Sequence, residues 1–507
     1  MNEKIIIGKH TLESLTSGMY SDPYVVFREY IQNSVDSIDV AVNSGILKKG
    51  EDQIVVQLRP TEQEIIIRDN GTGIAYSEAE KVLISIGNSQ KTSDLSRGFR
   101  GIGRLAALSY CKKLVFQTSF IGESKATTIT IDADKLSGLL LDSTNVDVSV
   151  VDVLQKVYEV KTKPEKENAH YFVVKLIGVD ETSRLNDHDD VIDYLSQNTP
   201  VPYAPSFVWG KEICNRLRRE GCEVQSYNIV MQFGTTVQAI YKPYKDKVLV
   251  DKGKNLYDSI QDIEILKVAH PNGTHPNGTV VAVGWLAKTN YLGSIYDKTV
   301  KGIRLRKGNI LVGDHQTLNV AFKDARFNGW SMGEVYATDI SLIPNARRDN
   351  FEKNQTYFVL FEQLSLLATT ITKEIRTASL KRNSELSNAM EQLDTATKLA
   401  SDAIDNGITS VQKGTITQKL KSAHDAVYNS TARDNTDEHF QEIAFEELDM
   451  LIGKFKGATS YKALNTIDRL SNTEKKILER VFNVIDGMEI DNANIIIDEI
   501  ISEFSLK

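Results

Sequence analysis

The sequence predicts an α+β protein with a helical last third, and three observations carry that expectation. Strand-like runs, "QIVVQL", "EIIIRD", "KLVFQTS", "TTITID" and "YFVVKLIG", alternate with helical stretches up to about residue 185. The segment "QNTPVPYAPSFVWG", with three prolines in six residues, then marks a connection to a second α+β region. After Pro344 the chain holds no proline, and Phe361, Leu364, Leu367, Ile371, Ile375 and Ala378 recur at helical spacing. The expected domains are residues 1–185, a middle α+β domain over 186–355, a long helical segment of coiled-coil type over 356–436, and a helical bundle over 437–507.

Composition narrows the class without naming a function. The 507 residues are 41% hydrophobic and 25% charged, as in ordinary globular domains. No apolar run approaches the ~20 residues that a membrane-spanning helix requires. The start, "MNEKIIIGKHTLES", lacks the charged-then-apolar layout of a signal peptide, so the expectation is a cytoplasmic location and no membrane partner. Cys111, Cys214 and Cys222 show no CxxC spacing, which argues against a disulfide framework or a zinc site. A net charge of −8 gives no global pull toward nucleic acid. Between residues 437 and 507, 15 Asp and Glu against 8 Lys and Arg suit a protein-facing module better than a phosphate backbone.

The first helix is read from "YSDPYVVFREYIQNSVDS", with Asp22 as N-cap and Pro23 at the first helical position. Glu29, Asn33 and Asp36 lie at i, i+4 and i+7, so three oxygen-bearing side chains share one stripe. Such a stripe on an amphipathic helix usually faces water. The strand "EIIIRD" then runs into "NGTGI", which sets Asp69 at a strand end, with Gly71 and Gly73 allowing close backbone approach. In "RGFRGIGRLAALSYC", Gly98, Gly101 and Gly103 lead into an apolar helix, a layout whose backbone N–H groups can cradle phosphate. Taken alone, that spacing is as well explained by a tight turn packed on a strand. Preceding it, "LISIGNSQKTSDLSRGFRG" reads as a polar loop carrying Lys91, Arg97 and Arg100. Farther on, "HPNGTHPNGT" reads as a doubled turn and "VVAVGWLA" as a strand. Gly407 and Gly414 are expected to interrupt the long helix, and "STARDNTDE" to form a loop.

The order decides among these readings. ExxxN with a following Asp, then DxGxG, then GxxGxG, resembles the GHKL (Bergerat-fold) ATPases, the superfamily of the 90-kilodalton heat-shock chaperones, MutL, gyrase and the histidine kinases, over residues 20 to about 180. The resemblance implies an N-terminal Bergerat-fold sandwich that binds ATP and Mg2+. It sets Glu29 on the general base, Asn33 on the Mg2+ ligand and Asp69 on the acceptor for the adenine amino group. Asp36, Gly71, Gly73, Gly98, Gly101 and Gly103 fall in its nucleotide-binding motifs, and Lys91 in its ATP lid. Histidine kinases generally lack the base, so Glu29 points to hydrolysis. The strand "ENAHYFVVKL" has none of the Gly-Thr that the chaperones carry there.

The second region extends the resemblance. "SLIPNARRDNFEKN" is similar to the chaperone middle-domain loop that brings an arginine to the γ-phosphate, with Arg348 at the matching position and Arg347 beside it. Lys307, in "KGIRLRKGNILVGD", is the alternative cation if the arrangement is that of MutL or gyrase. The chaperone branch implies a homodimer that engages protein clients or partners through its middle and C-terminal regions. The alternatives are a DNA-associated clamp ATPase like MutL, and a nucleotide-gated scaffold with slow turnover.

Overall fold

The computed structural model describes residues 22–85, 103–142, 149–271, 280–406, 410–429, 445, 448–455, 464, 469–488 and 493–505. Lys91, Gly98, Gly101, most of the doubled turn and the "STARDNTDE" segment lie outside them. The chain divides into two compact units. One comprises Met1–Asn255, Ile260–Thr289 and Gly293–Thr372, and the other Leu256–Ser259, Asn290–Leu292 and Lys373–Lys507.

The first unit contains an eight-stranded sheet in the order β5-β4-β3-β6-β2-β1-β7-β8. Its strands are β1 (Ile54–Arg59), β2 (Glu64–Asp69), β3 (Cys111–Ser119), β4 (Lys125–Asp132), β5 (Tyr158–Pro164), β6 (Tyr171–Val179), β7 (Ile229–Phe233) and β8 (Thr236–Ala239). Alternation assigns one face to the core: Ile54, Val56, Leu58, Ile65, Ile67, Leu114 and Phe116 are buried there. Helix α1 (Val25–Asn43) packs into the same core through Val26, Phe27, Tyr30, Ile31, Val35 and Ile38, each side chain contributing roughly 1.5–3 kcal/mol. β7 pairs with β1 in parallel, from Ile54 opposite Ile229 to Leu58 opposite Phe233. The sheet that carries Asp69 therefore draws strands from well beyond residue 185.

Three local expectations are corrected. α1 starts at Val25, because Asp22 accepts from the Tyr24 N–H at 3.0 Å and a tight turn precedes the regular helix. Residues Gly103–Ser109 form a 3-10 helix where an α-helix was expected, ending as the chain turns into β3. Gly414 lies inside helix Ser410–Asn429, where it leaves the backbone helical at a cost of about 1 kcal/mol relative to alanine.

Also in the first unit, α2 (Tyr76–Ile84), α3 (Ala133–Leu141), α4 (Val150–Val157), α5 (His188–Asn198) and α6 (Gly210–Arg219) join the sheets. The Asp187 carboxylate caps α5 by accepting from the Asp190 N–H at 3.1 Å, and Pro200 and Pro202 follow its end. A second, five-stranded sheet has the order β11-β12-β15-β13-β14. It comprises β11 (Asp262–Ala269), β12 (Val280–Lys288, the expected "VVAVGWLA" strand), β13 (Gly302–Lys307), β14 (Ile310–Val312) and β15 (Met332–Ala337). β9 (Lys247–Asp251) belongs to the first unit and β10 (Leu256–Ser259) to the second.

In the second unit, α7 (Gln355–Asn406, which begins before the unit boundary) and α8 (Ser410–Asn429) pack through small residues: Ala389, Ala396, Ala400 and Ala403 meet Leu420, Ala423 and Val427. α9 (Asn472–Gly487) and α10 (Ala493–Ser505) bury Phe482 and Ile497. Among the described residues, no helix is long and apolar enough to cross a membrane.

Candidate active site

The polar stripe of α1 does not face water. Glu29 is 8% exposed and Asp36 6%, while Asn33 is half-buried. Burying carboxylates costs free energy unless neighbours compensate, so their surroundings carry the chemistry. One Glu29 oxygen, Oε1, lies 3.5 Å from Arg28 Nη2 and 3.4 Å from Arg348 Nε. The other, Oε2, faces Gly103, where a β-carbon would collide with it. Gly103 thus lets the backbone approach the carboxylate closely, and a larger residue there would displace the Glu29 side chain.

Asp69 closes β2 and is 1% exposed. Its Oδ2 accepts from the Ser34 hydroxyl at 2.7 Å and its Oδ1 from the Gly71 N–H at 2.9 Å. Burial pushes its pKa up to about 6, against the opposing effect of those two hydrogen bonds. The following loop is held from several sides. Gly73 has φ +68°, and a β-carbon there would strike the Ser119 carbonyl. The Ile74 N–H donates to Thr118 Oγ1 at 2.8 Å, and Thr118 donates to the Tyr171 carbonyl at 3.2 Å. His170, protonated at Nδ1, donates to the Gly71 carbonyl at 2.9 Å. Where the chaperones have Gly-Thr on the strand matching β6, a threonine on neighbouring β3 and a histidine beside β6 support this loop.

Arg104 follows the last glycine and reaches back, donating from Nε to the Leu83 carbonyl at 3.1 Å and from Nη2 to the Ser85 carbonyl. It thereby satisfies acceptors at the C-terminal end of α2. Its own carbonyl accepts from the Tyr30 hydroxyl at 2.8 Å.

The loop around Arg348 belongs to the second sheet's side of the first unit. A bridge between Pro344 and Phe351 closes it, and the Asn345 N–H donates to the Asn350 carbonyl at 2.8 Å. Arg348 has φ +58°, a left-handed conformation uncommon for a side chain of its size. Asp349 is engaged by Asn345 Nδ2 at 2.6 Å, and the Arg348 guanidinium lies on Glu29. Lys307 points elsewhere, donating from Nζ to the Asp339 carbonyl at 2.6 Å, and burial lowers its pKa. Arg306 is fully buried against Glu334 and donates to the Gln197 carbonyl at the end of α5 at 2.9 Å.

The structure thus brings together Glu29, Gly103 and Arg348, and separately Asp69, Gly71 and Gly73, with Asn33 and Asp36 along α1 between Glu29 and the helix end. Sequence reading missed Ser34, Arg28 and Arg104. Ser34 is next to Asn33, but nothing local marks its bond to Asp69, 35 positions away.

A buried carboxylate that meets a glycine backbone, on a helix beside a sheet whose strand-end Asp anchors a glycine loop, is the arrangement set out above for a GHKL-type ATPase module. Residues 20–158 match the family of histidine kinase-, DNA gyrase B-, and HSP90-like ATPases, which supports the GHKL superfamily for this part of the chain. Domains of this kind bind ATP and typically Mg2+. No curated protein matches the chain.

Proposed function

We propose that this protein is a cytoplasmic, Mg2+-dependent ATPase of chaperone type, a dimeric machine in which the second domain completes the ATP site. The observation that carries the reading is the contact of Arg348 with Glu29 at 3.4 Å, because it brings a second-domain guanidinium to the helix that holds the base. In this reading Asn33 offers the oxygen ligand for Mg2+, which when bound neutralises phosphate charge. Glu29 takes a proton from the attacking water. Arg348 stabilises charge developing on the transferred phosphoryl group, a task its permanently ionised plane suits. Asp69 accepts from the adenine amino group.

The MutL-like alternative assigns the cation to Lys307, and the bond of that lysine to the Asp339 carbonyl favours Arg348 instead. For the homodimer, support comes from α9, where Ile477, Val481 and Val484 are exposed at helical spacing, with Met488 just beyond the helix end. A stripe of this kind is one that a second copy can cover.

The test is phosphate release from Mg-ATP by the full-length chain, alone, with an unfolded protein, and with duplex DNA. Stimulation by the unfolded protein supports the chaperone reading. Stimulation by DNA that falls steeply with salt supports the clamp instead. ATP binding without measurable release supports the scaffold.

Asp69 gives this reading an expected pH dependence. Its folded pKa lies above the unfolded value, so ionised Asp69 costs stability as pH rises through about 6. Adenine favours the ionised acceptor, and binding weakens as pH falls through the same range. The ADP dissociation constant is expected to rise about tenfold from pH 7 to pH 5. In Asp69→Asn, binding is weaker and the profile flat. Calorimetry checks both, and a flat profile in the wild type removes Asp69 from adenine recognition.

A further inference from the structure

Arg28 adjoins Glu29 in sequence but does a different job in space. It is 5% exposed, and its Nη2 lies 3.5 Å from Glu29 Oε1 and 3.2 Å from the Arg347 carbonyl, to which it donates. One guanidinium nitrogen therefore touches the carboxylate of the ATP-site helix and the backbone of a loop 319 positions away. The Arg347 carbonyl immediately precedes Arg348, whose Nε reaches the same Glu29 oxygen. Two arginines, one on α1 and one on the 344–351 loop, converge on Oε1, while Oε2 is left toward Gly103. Tyr194 of α5, partly buried with its hydroxyl shielded from solvent, lies within electrostatic reach of Arg28, Glu29 and Arg348, so a third element borders the junction.

We propose that Arg28 is a positioning residue that couples the second domain to the ATP site. By holding the Arg347 carbonyl it fixes the register of the 344–351 loop, and hence the reach of Arg348. By drawing Oε1 to itself it turns Oε2 to the glycine side, where the water must be met. Both effects use the two N–H bonds of one nitrogen, Nη2, held in the rigid guanidinium plane; a lysine ammonium preserves the charge but not this fixed plane. The catalytic half of the proposal rests on Glu29 as base. The loop-anchoring half does not.

The test uses the full-length protein and the variants Arg28→Ala and Arg28→Lys. Turnover is expected to fall about tenfold or more in Arg28→Ala, with the KM for ATP and the ADP dissociation constant within about twofold of wild type. Arg28→Lys is expected to stay at least about threefold low despite its charge. Hydrogen exchange supplies a readout independent of hydrolysis. The Asn345 and Arg348 amides, bonded to the Asn350 and Asn345 carbonyls, exchange faster in both variants than in wild type. Should Arg28→Ala not fold, Arg28→Lys decides alone. Wild-type turnover with unchanged exchange overturns the proposal, as does a loss of ADP binding parallel to the loss of turnover. If Glu29→Ala turns over normally, the reading of Glu29 as base falls, and exchange at residues 345 and 348 still decides whether Arg28 anchors the loop.

Discussion

Glu29→Ala is expected to lower ATP turnover by about a hundredfold or more while leaving the ADP dissociation constant within about twofold of wild type. The asymmetry follows from the division of labour in the site. Asp69, Ser34 and the Gly71–Gly73 loop form a separate, internally hydrogen-bonded group, so the adenine end keeps its geometry when the carboxylate is removed. At the other end the change is severe. Arg28 and Arg348 both rely on Oε1, and alanine leaves two largely buried guanidiniums without it. Removing one partner of a buried ion pair destabilises strongly, so the alanine variant is also expected to melt earlier. Glu29→Gln separates the two effects, since an amide preserves shape and accepts from arginine but is a far weaker base. Both variants losing turnover, with only alanine losing stability, is the expected pattern in single-turnover assays and thermal melts. Turnover within threefold of wild type in Glu29→Gln removes the base assignment.

Arg348→Ala is expected to reduce turnover about tenfold or more, which corresponds to at least about 1.4 kcal/mol of lost transition-state stabilisation. Lys307→Ala is expected to stay within about threefold. The difference rests on where each cation goes. The Pro344–Phe351 bridge and the left-handed backbone at Arg348 aim its guanidinium at Glu29, whereas Lys307 is engaged by the Asp339 carbonyl, 32 positions on. Losing that lysine removes one hydrogen bond and some packing, a matter of stability. Steady-state phosphate release on both variants, with ADP binding as the control, gives the ranking. A reversed ranking assigns the cation to Lys307, and near-normal turnover in both leaves the first domain to hydrolyse ATP unaided.

What could be read from the sequence was what repeats at short range. The spacing of Glu29, Asn33 and Asp36, the strand running into Asp69, and the alternation of β1 to β4 and β6 are visible because helix and strand periods act over a few residues. The mixed α+β architecture with C-terminal helices follows from them. The boundary of α1 was less legible because Asp22 and Pro23 fit a helix start equally well two residues earlier. The apolar run after Gly103 carries the same composition whether it coils as α or 3-10, and the short space before β3 decides. Arg28 could not be read at all, since its meaning lies in a carbonyl supplied by a loop 319 positions away. The same holds for β7, whose place beside β1 is set by hydrogen bonds between segments 175 residues apart, from Ile54 to Ile229.

That last pairing bears on how the molecule is made. During synthesis, β1 to β6 and most of the ATP-site residues leave the ribosome long before β7 exists, and through that interval the outer edge of β1 presents unpaired N–H and C=O groups. The intervening chain, α5, the proline-rich connection and α6, must be synthesised before Ile229–Phe233 can dock beside β1 and β8 can pair with it. The eight-stranded sheet is therefore a late product of translation. Its last hydrogen bonds wait for residues 229–239, downstream of the proline-rich connection.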